Sequence, residues 1–324
     1  MTQTTNESIP SANGTNGAGA VDRDADPWTP FRHELVSAGL LVPTGVDGVY
    51  GRSGTYESIA EAMDRLVLLV GGDQDATSVR FPPVMPWATF EKNGYLESFP
   101  DQMGSVHTFR GDERQHAELL RRAEAHEDRG SMLETTDMVL CPAVCHPLYP
   151  TMGGVLPEGG RRVEVYGYCF RHEPSTDPFR MQAFRQHDYV YLGTPEGARA
   201  HRDLWIERGL EVLSGLGLPV SSVVANDPFF GRPGRMLAAN QRIEELKYEI
   251  VTPVYAIERD TAISSSNCHL DHFGRPFGIE TDDGEVAHTA CFGFGVDRIT
   301  LALLHRHGPD PDRWPRPVRD RLWP

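Results

Sequence analysis

Lysine is almost missing from this chain: of its 31 basic residues only Lys92 and Lys247 are lysine, and the rest are arginine. The planar guanidinium of arginine suits two-point contacts with phosphate, although the codon bias of a GC-rich genome is the simpler explanation. Acidic residues also outnumber basic ones, which gives a net charge of −15. This balance argues against a general nucleic-acid binder but allows a phosphate site built from a few arginines.

Long apolar runs and a targeting segment are missing as well. No run approaches the roughly 18 residues that a spanning helix needs, and no basic segment followed by an apolar run opens the chain. The five cysteines, an odd number at wide spacing, do not resemble a disulfide framework. These absences predict a cytoplasmic protein without a membrane span, in a reducing compartment.

The pattern along the chain predicts one folded domain behind a polar tail. Residues 1–25 hold almost no large apolar side chains and are expected to be disordered, which leaves 26–324 as the domain. Two β runs, Val163–Phe170 and Ala183–Leu192, flank a loop with prolines and predict a long hairpin. Other predicted elements are strands at Val79–Met85 (stopping at Pro82), 261–268 and 287–294, and helices at Thr55–Val70, Gln115–Arg129 and Ala198–Gly217. The expected fold class is α+β, an antiparallel sheet flanked by helices.

The predicted hairpin and a later strand carry residue types that suit a nucleoside triphosphate. Arg171 and Glu173 lie two apart at a strand end, so both side chains can face the same side. Arg171 could neutralise an α-phosphate and Glu173 could accept from an adenine amino group, while Phe184 offers a ring for base stacking. Arg298 follows two glycines and could clamp the ligand from the opposite side.

Cysteines in and near the same segments raise the possibility of a catalytic metal. A catalytic zinc takes three protein ligands and keeps one position open, and thiolates with a carboxylate or an imidazole suit it. Cys145 and Cys291 flank the nucleotide segments, and Asp188 lies on the return strand of the hairpin. The spacing leaves other candidates open, namely Cys141, His146, His187 and Cys268.

Several segments resemble class II aminoacyl-tRNA synthetases. Phe170–Glu173 and Gly293–Arg298 match the F-R-x-E and G-x-G-x-x-R signatures of motifs 2 and 3, and Val79–Met85 resembles motif 1, which builds the dimer interface in that class. The match is closer to one branch, the amino acid:[carrier protein] ligases, which are truncated homologues of the zinc-containing, methanogen-type seryl-tRNA synthetases. The segments that carry it are Asp47–Arg52, Leu96–Pro100, Cys145–Pro150, Asp227–Arg232, Ser265–Cys268 and His269–Gly274.

This resemblance implies the class II antiparallel sheet, without a tRNA-binding domain, and a two-step reaction. A small amino acid, with glycine or alanine favoured and serine possible, is activated with ATP to an aminoacyl-adenylate. The aminoacyl group then passes to the phosphopantetheine thiol of a carrier protein. The implied cofactors are Zn²⁺, ATP and Mg²⁺, and the implied assembly is a homodimer.

The resemblance also assigns site residues. Arg171 and Arg298 are the expected catalytic residues, and the substrate is expected to contact Asp188, Asp227 and Asn267. The metal ligands carry over to Cys145, Asp188 and Cys291, and the ATP-binding residues carry over to Arg171, Glu173, Arg180, Met181, Phe184, Ala262, Ile263, Ser264 and Arg298.

One position departs from the family pattern. The middle zinc ligand is usually glutamate, and here it is Asp188, which is one methylene shorter. His187 is the alternative ligand, but strand alternation points the two side chains to opposite faces, so only one can serve.

Partner choice and activity leave alternatives. The acidic balance and the lack of a basic stripe favour an acidic carrier protein over tRNA, with the arginines of the segment Gly231–Arg242 as one possible docking patch. A tRNA-charging seryl-type enzyme, a regulatory paralogue that senses an amino acid or a nucleotide, and a zinc hydrolase are the competing hypotheses.

Overall fold

The computed structural model describes residues 26–227, 245–255 and 260–324. The polar tail, 1–25, and the whole of the docking patch suggested above, with Arg232, Arg235 and Arg242, lie outside the described residues. The described helices are α1 (Thr29–Ser37), α2 (Gly54–Val70), α3 (Trp87–Lys92), α4 (Tyr95–Ser98), α5 (Glu113–Glu124), α6 (Pro195–Gly215), α7 (Gly274–Phe277), α8 (Val296–His307) and α9 (Arg316–Leu322). Among these residues no helix combines the length and apolar content that a bilayer crossing requires.

Most strands belong to one large sheet. The strands are β1 (Leu41–Pro43), β2 (Tyr50–Arg52), β3 (Thr77–Val79), β4 (Val84–Pro86), β5 (Ser105–Phe109), β6 (Leu133–Leu140), β7 (Gly154–Val155), β8 (Arg161–Phe170), β9 (Ala183–Gly193), β10 (Ser221–Val224), β11 (Lys247–Thr252), β12 (Thr261–Leu270), β13 (Ile279–Glu280) and β14 (His288–Gly295). Seven of them form the main sheet in the order β10-β11-β12-β14-β9-β8-β3. All neighbours in it are antiparallel except β3 and β8. The α+β class with an antiparallel sheet is therefore confirmed.

Helices cover one face of this sheet and a loop segment covers the other. The apolar side of α2 buries Ile59, Met63 and Val67, and it packs in the largest core cluster with α6, α8 and the inward side chains of β9 and β14. The opposite face carries a second core cluster, in which residues 144–149 lie over the centre of the sheet. Because side chains alternate along a strand, β9 and β14 serve both faces at once.

Local signals account for most element boundaries. The Ser53 hydroxyl accepts from the Tyr56 backbone N–H, so Ser53 caps the start of α2. The predicted helix Gln115–Arg129 ends earlier, at Glu124, and His126 follows in the left-handed region at φ 55°. The predicted strand Val79–Met85 is two strands, β3 and β4, because prolines between them have no N–H for a ladder.

Candidate active site

The turn end of the β8–β9 hairpin places Arg171 over the sheet. Its backbone N–H donates to the Gln182 carbonyl at 2.9 Å and extends the ladder by one residue. The side chain is held by Nε donating to the Pro142 carbonyl at 3.0 Å, and its guanidinium lies 5.4 Å from the centroid of the Phe184 ring. The hairpin therefore fixes a cation against an aromatic ring.

Arg298 comes to the same region from the first turn of α8. Its Nε donates to the Phe179 carbonyl at 2.9 Å, and Nη1 donates to the Ala262 carbonyl at 3.0 Å. Burial lowers the pKa of Arg298, and the positive charges of Arg171 and Arg180 lower it further. The charges of Arg171 and Arg180 thus act on Arg298, and Arg180 is the one of the three for which an ion pair is found among the described residues, with Glu173. Excess positive charge of this kind favours an anionic ligand.

The other residues expected at the nucleotide divide into two groups. Glu173 and Arg180 form an ion pair at 3.1 Å beside the arginines, and Ser264 keeps a buried hydroxyl without a partner. Met181 and Ile263 instead have their side chains in the helix-covered core. Only the main chain of these last two positions is free to meet a nucleotide.

Cys145, Asp188 and Cys291 come together on the loop-covered face of the sheet. One ligand atom from each lies within 4.8 Å of the other two, and all three residues are buried. Burial raises the pKa of Asp188, as does the nearby Cys291. Contact with the Cys291 sulfur, together with burial, raises the pKa of Cys145. Three acidic groups buried together in this way need a cation to be ionised at the same time.

The donor set fits a zinc ion. Two sulfurs and one carboxylate oxygen are ligands that zinc accepts, and three protein ligands are typical of a catalytic site. Asp188 Oδ1 is buried and has no hydrogen-bond partner. Gly293 lies opposite Asp188 in the ladder, and a Cβ there would lie 2.7 Å from Oδ1. The strand pair therefore leaves the aspartate carboxylate the space to lie in the cluster.

The competing ligand candidates lie outside this cluster. His187 lies on the opposite face of β9, where Nδ1 is 2.7 Å from Asp64 Oδ1 and Nε2 is 2.7 Å from Glu164 Oε1. Both ring nitrogens are thus occupied. Within the described parts of the chain, none of the other candidates joins the three-residue group, namely Cys141, His146 and Cys268.

The other two expected amino-acid contacts, Asn267 and Asp227, lie near a lysine that the motifs did not indicate, and Asn267 also lies beside the cluster. Asn267 is opposite Cys291 in the ladder and its amide lies 3.7 Å from the Cys291 sulfur. Lys247 is paired with Asn267 across the neighbouring strand and forms ion pairs with Asp227 and, at 3.2 Å, with Glu249. Burial lowers the pKa of Lys247, but the two carboxylates outweigh it and leave the pKa raised. One of the two lysines in the chain is therefore a buried, fixed charge.

A buried ionic network behind Arg298 was also missed from the sequence. Asp297 accepts from Arg185 Nη2 at 2.7 Å and from the Arg185 backbone N–H at 2.6 Å, and it lies 3.2 Å from Arg52 Nε. Arg52 also donates to the Ala183 carbonyl at 2.7 Å. The network ties the start of α8 to the return strand of the hairpin, so it fixes Arg298 relative to Arg171.

Comparison with known proteins identifies the family, although no protein-family model matches the chain. Amino acid–[acyl-carrier-protein] ligase 1 of Bradyrhizobium diazoefficiens is 44% identical over 287 residues, which is 87% of this chain and 87% of that protein. The type-2 serine–tRNA ligase of Methanopyrus kandleri is 28% identical over 265 residues, covering 75% of this chain and 50% of its own length.

The fold has matches among solved structures. The seryl-tRNA synthetase of M. kandleri, solved with a tRNA(Sec) of A. aeolicus, superposes with a TM-score of 0.76 at 23% identity, over 95% of this chain and 62% of that one. The expected class II synthetase fold is therefore confirmed. With 44% identity over most of both chains, this protein belongs to the family of amino acid–[acyl-carrier-protein] ligases, distant relatives of the type-2 seryl-tRNA ligases.

Proposed function

We propose that the protein activates a small amino acid with ATP and transfers it to the phosphopantetheine thiol of a carrier protein. One observation carries the proposal, namely the proximity of the Cys145–Asp188–Cys291 cluster to Arg171. Burial raises the pKa of the Asp188 carboxyl, and the positive charge of Arg171 acts on the same carboxyl in the opposite direction, to a smaller extent. An amine-binding centre and a phosphate-binding cation can thus hold the two ends of one amino acid.

Cys145, Asp188 and Cys291 would hold the zinc ion. Zinc bound there supplies an open coordination position for the substrate's α-amino group, which must be neutral to coordinate. Arg171 then neutralises the substrate carboxylate and the α-phosphate that this carboxylate attacks. Asn267 and Asp227 line the space for the amino acid beside the cluster, and the Lys247 ion pairs hold Asp227 in place.

The arginine cluster would bind the triphosphate. Arg298 and Arg180 meet the phosphates from the side opposite Arg171, Phe184 offers its ring to the base, and Glu173 accepts from the adenine amino group. The backbone of Ala262–Ser264 would border the nucleotide, and Mg²⁺ would supply further positive charge to its phosphates. Pyrophosphate leaves as the carboxylate oxygen forms its bond to the α-phosphorus, which gives the aminoacyl-adenylate.

The partners follow from the family. A relative named for its acyl-carrier-protein substrate is 44% identical, so we propose an acidic, phosphopantetheinylated carrier protein as the acceptor in place of tRNA. The thiol of its arm attacks the adenylate carbonyl and displaces AMP, leaving a thioester. We also propose a cytoplasmic homodimer that meets through the region of β3 and β4. A site crowded by the metal favours glycine or alanine, and serine stays open.

Labelled amino acid offered together with ATP, holo carrier protein and tRNA tests the function. We expect label on the carrier protein, none on apo carrier protein that lacks the phosphopantetheine, and none on tRNA. Label on tRNA would instead support a seryl-type synthetase. Failure of every amino acid to drive ATP–pyrophosphate exchange would support a sensing paralogue.

A further inference from the structure

His269 lies beside the metal cluster without belonging to it. Its Nε2 is 3.5 Å from the Cys291 sulfur, and its Nδ1 is 3.0 Å from the Thr289 hydroxyl. Within the described residues the group that can share one ion contains Cys145, Asp188 and Cys291 but no histidine. His269 therefore meets the sulfur of one ligand from outside the cluster.

A backbone irregularity gives His269 this position. In a regular ladder His269 would pair with Thr289, since Asn267 pairs with Cys291, but Leu270 takes the place opposite Thr289. His269 is the extra residue of a β-bulge, a feature that often re-aims a side chain next to an active site. Leu270 has φ 55°, which is unfavourable for a branched side chain. The surrounding structure thus maintains a strained residue where the histidine is presented.

The hydrogen-bonding roles follow from the chemistry of the sulfur. A metal-bound Cys291 is a thiolate and can only accept, so His269 Nε2 carries the proton and donates. In the neutral ring Nδ1 then accepts, and the buried Thr289 hydroxyl is the donor that faces it. Edge contacts with Tyr149 and Phe273 hold the plane of the ring. Tautomer and orientation are therefore both set by neighbouring side chains.

We propose that His269 is a positioning residue that tunes the Cys291 thiolate, an inference that rests on the proposed zinc site. The Cys291 sulfur accepts a hydrogen bond from His269 and, at 3.7 Å, a second from Asn267. Hydrogen bonds to a ligating sulfur reduce its electron donation and fix its direction. A metal with a weaker sulfur donor holds the substrate amine more strongly, so His269 acts on amino-acid binding without touching the substrate.

The test uses the full-length protein with cobalt(II) as a visible substitute for zinc. His269→Phe removes both ring nitrogens and keeps the ring packing, His269→Gln retains an N–H donor, and Thr289→Val removes the hydroxyl that sets the tautomer. His272→Phe is the matched control, because His272 lies three residues away and contacts the Asn93 carbonyl instead of a cysteine.

In His269→Phe the sulfur becomes a stronger electron donor, so we expect the sulfur-to-cobalt charge-transfer band to move to longer wavelength. Because the sulfur also loses the contact that fixes its direction, zinc should be about 10–100-fold easier to remove with a chelator. The KM for the amino acid should rise and the KM for ATP should stay the same. His269→Gln should recover part of the shift, Thr289→Val should shift in the same direction by less, and His272→Phe should match the parent.

Two results would overturn the inference. One is a His269→Phe protein that keeps the band position and the metal affinity of the parent. If the Phe variant does not fold, the same conclusion follows from His269→Gln and Thr289→Val proteins that show no shift of the band. The other is an equal shift in the His272→Phe control, which would mean general disturbance of packing. A parent protein that shows no thiolate–cobalt band at all would refute the proposed zinc site as well, so the two failures can be told apart.

Discussion

Replacing Gly293 with alanine tests whether the ladder opposite Asp188 makes the metal site possible. The added Cβ would lie 2.7 Å from Asp188 Oδ1, whereas ordinary contact begins at 3.4 Å, so the carboxylate must move by about 0.7 Å. Metal–ligand distances tolerate only about 0.2 Å. We therefore expect Gly293→Ala to weaken zinc binding by more than tenfold, while crowding of the buried site costs about 1–3 kcal/mol of stability.

Zinc content after dialysis and competition with a chelator measure this effect, and urea unfolding measures the stability separately. Gly167→Ala is the matched control in the same sheet, because a Cβ at Gly167 meets its nearest atoms at 3.6 and 3.7 Å, which is ordinary contact. This control should keep the parent's zinc affinity. A Gly293→Ala protein that binds zinc as tightly as the parent would refute the argument that Gly293 sets the position of the Asp188 carboxylate.

Three further predictions concern the ligand, the phosphate site and the ionic network. Asp188→Asn should lose more zinc affinity than the roughly hundredfold of an outer-shell change. His187→Gln should keep its zinc but lose about 1–3 kcal/mol of stability, because Asp64 and Glu164 each lose a contact with the ring while Glu164 keeps its ion pair with Arg80. Arg298→Gln should slow ATP–pyrophosphate exchange by about 10²–10³-fold with little change in zinc content. Burial raises the pKa of Asp297, but its arginine partners outweigh burial and leave it lowered. The stability that this carboxylate supplies is therefore full above its unfolded pKa of about 3.9 and is lost as the pH falls through the lower folded value. Asp297→Asn should therefore lose less stability at low pH than the parent. Plots of the urea midpoint against pH, from pH 3 to 7, measure this acid limb.

Each of these predictions has an outcome that contradicts it. If the His187 variant loses its zinc and the Asp188 variant keeps it, His187 is the zinc ligand and Asp188 is not. Exchange that survives in the Arg298 variant would remove this residue from the phosphate site. An acid limb as steep in Asp297→Asn as in the parent would mean that other carboxylates dominate acid unfolding.

The sequence predicted the parts of the fold that depend on local pattern. The β8–β9 hairpin and the helices α2 and α6 follow from strand alternation and from apolar residues at helical spacing. Strand alternation also separated His187 from Asp188 correctly, because neighbours on a strand face opposite sides whatever the partner strand is.

The sequence could not predict the features that depend on register between distant strands. The space that Gly293 leaves for Asp188 exists only because these two residues are opposite each other across β9 and β14. The bulge that presents His269 is a shift of one residue between β12 and β14. The pairing of Lys247 with Asp227 joins positions 20 residues apart. Each of these features depends on which distant residues the fold brings together, and no short sequence motif records that.

The most direct test of the account is diffraction at the zinc edge from crystals grown with a non-hydrolysable glycyl-adenylate analogue. We expect an anomalous peak bonded to the Cys145 sulfur, the Asp188 carboxylate, the Cys291 sulfur and the amino group of the analogue, with the α-phosphate mimic between Arg171 and Arg298. No peak at the three ligands, or an analogue bound away from both arginines, would contradict it.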